Sequence, residues 1–126
     1  MLNIIFIACG GAIGALCRYG MSVGAQQLLG KGFPYGTLLV NVIGSLLIGV
    51  VYVLMIERAE LSQEWRSFII IGVLGAFTTF STFSFETITL FESGDTSKAL
   101  INIFVSVFSC LFVCWVGMFL TRQTTI

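Results

Sequence analysis

The sequence predicts an all-α membrane protein with four transmembrane helices, the third one broken. Three observations predict it. First, 57% of the 126 residues are hydrophobic and 10% are charged, whereas soluble domains carry about 25% charged residues. Mean hydropathy is +1.04, and a chain this short has no core large enough to hide so much apolar surface. Second, the apolar residues gather into four runs long enough to cross the hydrocarbon, at about 2–28, 35–56, 67–92 and 99–120. Third, the third run holds Gly72-Val-Leu-Gly-Ala-Phe-Thr-Thr-Phe-Ser-Thr-Phe-Ser-Phe-Glu86, with two glycines, three threonines, two serines and one acid. Glycine weakens a helix and threonine is β-branched. Non-helical backbone at membrane depth is tolerated only inside protein or beside a water-filled cavity. This run is therefore expected to line something polar.

Composition also excludes. Net charge is zero, which gives no support to a nucleic-acid partner. There is no histidine, so the commonest metal ligand and general base are missing, and no enzyme is expected. No basic stretch precedes the first run, and no small-residue cleavage site follows a short apolar core. The first run is thus expected to stay as a helix rather than be removed as a signal. Cys9, Cys17, Cys110 and Cys114 all lie in apolar runs and read as small buried hydrophobes. Residues 1–126 read as one domain.

Run one carries Gly10/Gly14 and Gly11/Ala15 at i,i+4, a spacing that lets helix backbones approach closely. Arg18 follows in its deeper half, where a permanent cation must snorkel or face a vestibule. A Gly-rich polar turn leads to Pro34, suited to the start of the next helix. Run two places Thr37, Asn41, Ser45 and Gly49 on one face. An amide in hydrocarbon needs partners, so Asn41 is either interhelical glue or a donor lining a path. The segment Glu57 to Arg66 is the most charged part of the chain. It reads as a solvated loop with helix-start character, with Ser62 as the cap and Trp65 as an interfacial anchor. Run three, after its break, puts Phe80 and Phe83 at i,i+3 on one face. Thr79, Thr82 and Glu86 fall on the adjoining face. Run four repeats Asn102, Ser106 and Cys110 at i,i+4. That small-polar stripe is either back-bonded to its own helix or the lining of a pore.

Four spans leave both termini on one side. That side carries Arg58, Arg66 and Arg122; the other carries Lys31 and Lys98, with Arg18 leaning towards it. The cation bias that fixes membrane orientation is thus one charge or none. Two such chains can pair antiparallel, and one protomer is too small to enclose a generous polar route. A dual-topology homodimer follows, with pathways built from both subunits. Hydroxyl and amide hydrogens and ring edges suit a small anion that sheds its water. Backbone carbonyls freed at the break, around Gly75 to Thr79, suit a cation. The residues alone therefore imply a polar route for a small solute or ion, without choosing which.

The chain resembles the Fluc (CrcB-type) fluoride channel family across nearly its whole length. The resemblance rests on Gly10-Gly-Ala-Ile-Gly-Ala-Leu-Cys-Arg-Tyr19, Gly36-Thr-Leu-Leu-Val-Asn-Val-Ile-Gly-Ser45 and Gly72-Val-Leu-Gly-Ala-Phe-Thr-Thr-Phe-Ser-Thr-Phe83, followed by Ser84 and Glu86. It implies an antiparallel homodimer in the bacterial inner membrane that lets fluoride leave the cell passively and so relieves its toxicity. It implies a structural sodium ion at the dimer centre, held by the carbonyls of Gly75 and Thr78 from both subunits. It implies a fluoride pathway drawn from Thr37, Asn41, Phe80, Ser81, Thr82, Phe83, Glu86, Asn102, Ser106 and Cys110, with Arg18 at a vestibule. The family more usually has a hydroxylated or aromatic residue at the position of Asn102 and a serine at that of Cys110. Two other functions fit four short spans. A small multidrug transporter needs a carboxylate in its first span, and run one has none. A non-transporting adaptor would use the polar stripes as helix glue.

Overall fold

The computed structural model describes residues 1–124, and all regular structure among them is helical. Helix α1 covers Leu2–Leu29. Helix α2 runs from Tyr35 to Tyr52 and widens into a π turn over Val53–Glu57. Helix α3 (residues 63–77) opens at Gln63–Arg66, is π-helical over Ser67–Leu74 and closes as Gly75–Phe77. Helix α4 is Phe80–Glu92 and helix α5 is Thr96–Gln123. Four helical stretches, Leu2–Leu29, Tyr35–Glu57, Gln63–Glu92 and Thr96–Gln123, are long and apolar enough to cross a membrane. The third begins at Gln63 with Ser62 at its N-cap position, the helix start expected there, so Glu64 and Arg66 already belong to the helix. Charged side chains at the interface reach water while their backbone stays hydrogen-bonded.

Small residues decide how the helices meet. A β-carbon on Gly10 would stand 2.4 Å from the Phe68 carbonyl oxygen, and one on Gly14 would stand 2.1 Å from that of Val73. One on Gly72 would stand 2.9 Å from the Gly10 Cα. Thus α1 and the π-helical part of α3 lie backbone against backbone, the arrangement that small residues permit in membranes. Gly11 is different, because a β-carbon there meets nothing within 4 Å. Of the two small pairs in run one, only Gly10/Gly14 forms this seam. A second seam joins α2 to α5, where β-carbons on Gly49 and Gly117 would stand 2.3 Å and 2.6 Å from the carbonyl oxygens of Cys114 and Leu46.

The ends are fastened differently. Phe6, Trp65 and Phe68 meet edge to face with centroids 5.6–6.3 Å apart, which ties the start of α1 to that of α3. The Arg122 guanidinium pairs with the Glu57 carboxylate, and Arg58 donates to the Thr121 carbonyl. Along α5 an outer row of Phe104, Phe108, Phe112, Trp115 and Phe119 is exposed on the protomer. Cys9 and Cys17 are exposed too, while Cys110 and Cys114 are half-buried; all four are free thiols. The expectation of buried cysteines is corrected here: Cys9 and Cys17 lie on the exposed face of α1 in the protomer, because α1 meets α3 through its glycines.

Candidate functional site

The site is built around two residues that leave the helix. Thr78 has φ −85°, ψ 157° and Thr79 has φ −154°, ψ 117°. Both are extended, and α4 restarts at Phe80 in the same span. Gly75 remains helical at φ −62°, ψ −39°, so the extended pair is the far end of the Gly75-to-Thr79 stretch expected to break. The threonines leave the helix because their backbone finds other partners. Asn41, from α2, accepts from the Thr79 N–H at 2.8 Å and donates to the Thr79 carbonyl at 3.0 Å. One side-chain amide thereby takes the Thr79 N–H out of the helical ladder and adds a second donor to the carbonyl that, as N-cap, opens α4. Thr79 Oγ1 then accepts from the Thr82 N–H at 3.2 Å, capping α4.

This rearrangement frees particular carbonyls. In a continuous helix the Thr79 N–H would fill the Gly75 carbonyl and the Thr82 N–H that of Thr78. Those donors go instead to Asn41 and to Thr79 Oγ1. The oxygens of Gly75 and Thr78 are thus released, and Gly75 is exposed on the protomer. Gly44 makes room for the extended pair, since a β-carbon there would fall 2.1 Å from the Thr78 methyl.

Beside the extended pair lies a cleft of about 450 Å³, lined by Asn41, Phe80, Phe83, Ser106 and Cys110 among others. The Phe80 and Phe83 rings stand 5.4 Å apart at 46°. Phe83 is buried, and Phe80 is 75% exposed in the protomer. A second concavity of about 410 Å³ is bounded by Lys31, Phe33, Thr37, Thr82 and Glu86. Here Thr37 donates to Glu86 Oε1 at 2.8 Å, and Glu86 Oε2 is buried with no protein partner. Ser81 and Thr82 are exposed and meet Thr79 Oγ1 at 3.3 Å and 3.1 Å.

The stripe on α5 divides. Ser106 and Cys110 line the first cleft. Asn102 lines neither concavity and is only 1% exposed. It donates to Thr87 Oγ1 at 2.9 Å and accepts from Ser106 Oγ at 3.2 Å. Thr87, buried on α4, donates in turn to the Phe83 carbonyl at 2.7 Å. Sequence reasoning missed Thr87. Its signal was its i,i+4 spacing from Phe83, which sets a hydroxyl under the carbonyl of a cleft residue. Arg18 is half-buried on α1 and lines neither concavity. Among the described residues no cluster of acids and cysteines is arranged to hold a metal, so any cation here would rest on neutral oxygens.

Residues 5–118 match the family model described as CrcB-like protein, Camphor Resistance (CrcB). The chain belongs to the CrcB family. Among CrcB relatives, proteins named fluoride-specific ion channel FluC are about half identical to it. That of Shewanella amazonensis is 50% identical over 117 residues, covering 93% of this chain and 94% of the relative. That of Hydrogenovibrio crunogenus is 46% identical over 123 residues, covering 98% and 93%. That of Methylococcus capsulatus is 49% identical over 125 residues, which are 99% of this chain but 55% of the relative. The chain therefore spans about half the length of that last protein and nearly all of the other two. Like them it is a CrcB-family multi-pass membrane protein.

Proposed function

We propose that this protein is a passive fluoride channel that lets the anion leave the cell down its electrochemical gradient. The observation that carries the reading is the 50% identity, over 94% of its length, to a relative named as a fluoride-specific channel. The cleft chemistry agrees. Ring edges and hydroxyl and amide hydrogens present partial positive charge, and Phe80, Phe83, Asn41 and Ser106 bring them to one concavity. Fluoride entering a cell as the neutral acid dissociates inside, and the membrane potential drives the anion out.

The working unit is an antiparallel homodimer with two pathways. The exposed Gly75, Phe80, Ser81 and Thr82 support it. Hydroxyls and released carbonyls at membrane depth are costly against lipid and need protein or a water-filled path beside them. A second copy supplies that cover. The Gly75 and Thr78 carbonyls of both copies would hold a sodium ion at the dimer centre. Neutral oxygens released from helical bonding fit a hard monovalent cation, and the ion would offset their converging negative ends. Arg18 would sit at the mouth of the pathway, where a cation attracts anions. Thr37, Glu86 and Thr82 line the entry, and the Thr37 hydroxyl is already turned to Glu86.

The test is efflux from liposomes holding the purified protein. Fluoride should leave on its own while chloride stays trapped. Proton-gradient-dependent uptake of aromatic cations, or no fluoride release in sodium buffer, would overturn the reading. Phe80→Ile or Phe83→Ile should each slow fluoride release at least about tenfold, the scale of one or two lost hydrogen-bond-sized contacts, while the dimer persists on sizing. Normal flux in both variants would remove the ring edges from the mechanism.

A further inference from the structure

The polar chain that ends at Ser106 has a fixed direction. The Phe83 carbonyl can only accept, so the single proton of Thr87 is committed to it at 2.7 Å. Thr87 Oγ1 must then accept from the Asn102 amide at 2.9 Å. That orientation turns Asn102 Oδ1 towards Ser106, whose hydroxyl has to donate, at 3.2 Å. Asn102 and Thr87 are 1% and 4% exposed, so no solvent competes for either amide atom. Only Ser106 of the three faces the cleft with Phe80, Phe83 and Cys110. Its proton points away from the cleft, and an anion there meets a donor already in use.

We propose that Asn102 is a positioning residue that holds the Ser106 hydroxyl proton between passages, so that Ser106 lends it to an anion in the cleft and returns it when the anion leaves. This rests on the reading of the cleft as an anion pathway. An unpartnered hydroxyl in an apolar cleft is costly, and a donor with no other acceptor would hold an anion hard. Conduction needs sites strong enough to admit an ion and weak enough to release it. Asn102 Oδ1 supplies the empty-state partner, so the Ser106 hydroxyl is bonded with the anion present or absent. The depth of the site is then set by the difference between two hydrogen bonds rather than by one whole bond. Asn102 never touches the ion. It acts through Ser106, and its own grip depends on Thr87.

The experiment measures fluoride release from proteoliposomes against fluoride concentration, with the full chain. Asn102→Leu should lower the half-saturating fluoride concentration about threefold to tenfold, one net hydrogen bond, and lower the maximal rate with it. A purely structural role for Asn102 would reduce the rate without tightening the site. Ser106→Ala should raise the half-saturating concentration, and adding Asn102→Leu to it should change that value no further. Thr87→Val keeps the side-chain shape and loosens Asn102, so it should shift the value in the same direction as Asn102→Leu by about twofold. It carries the test if Asn102→Leu is not recovered folded. An unshifted or weakened site in the variant that is recovered overturns the proposal, as does a double variant that binds more tightly than Ser106→Ala. A wild-type chain that releases no fluoride overturns the pathway reading together with this one. Wild-type release with an unshifted Asn102→Leu overturns this one alone.

Discussion

The α1–α3 seam and the junction between α3 and α4 solve opposite problems within one span. At the seam nothing stands between the helices. Gly10, Gly14 and Gly72 remove their side chains so that backbones touch, and every backbone bond stays within its own helix. At the junction the backbone leaves the helix, and a side chain from elsewhere in the sequence, Asn41, takes over its bonds. The contrast teaches where rigidity comes from in so apolar a chain. One region is stiff because it contains no polar choice to make; the other is held by a single polar choice made from outside.

That contrast breaks most sharply at Gly14. Gly14→Ala places a methyl 2.1 Å from a backbone oxygen that has no rotamer to move. It should destabilise by at least about 3 kcal/mol, the upper end of overpacking costs, read as lost monodisperse protein or a collapsed melting midpoint in detergent. Next comes Asn41→Leu, which leaves the Thr79 N–H without its partner and takes one of two donors from the Thr79 carbonyl. The expected loss is about 2–4 kcal/mol, together with fluoride release at least tenfold slower. Gly44→Ala should cost less, about 1–3 kcal/mol, since the atom it meets is the Thr78 methyl. Thr78→Ser removes that methyl, and the pair Gly44→Ala/Thr78→Ser should recover most of the loss in a thermal melt. The smallest effect belongs to Gly11→Ala, where a β-carbon meets open space. A gain of up to about 1 kcal/mol in helix propensity is expected. A loss at Gly11 matching that at Gly14 would show that close approach, rather than helical spacing alone, is not what separates the two glycines.

How much was legible depended on how far each signal travels along the chain. The four spans were legible because hydropathy is local and summed over many residues. The π-helical widening over Ser67–Leu74 was not, since wide and ordinary turns share the same apolar composition. Asn41 drew attention as a costly amide, with glue and lining both open. Its partner, Thr79, lies 38 residues away, and no periodicity links them. Gly75 looked like the weak point because glycine is the poorest helix former there apart from proline. It stayed helical, and the β-branched pair after it left instead, because Asn41 and the Thr79 hydroxyl offered that pair better partners than the helix did. The stripe Asn102, Ser106 and Cys110 was correctly seen as one face of a helix. What spacing does not tell is that α4 covers the first member, which bonds to Thr87, while the other two reach the cleft.

The dependence of the Thr78–Thr79 kink on an amide carried by α2 has a consequence for biogenesis. A segment covering residues 63–92, released into the bilayer without residues 35–57, has every backbone reason to close its i→i−4 ladder and insert as an uninterrupted rod. The functional geometry then exists only after α2 has docked, which makes it an outcome of helix assembly rather than of insertion. Synthesis order suits this, because the residue that bends the third span is already in the membrane when that span arrives.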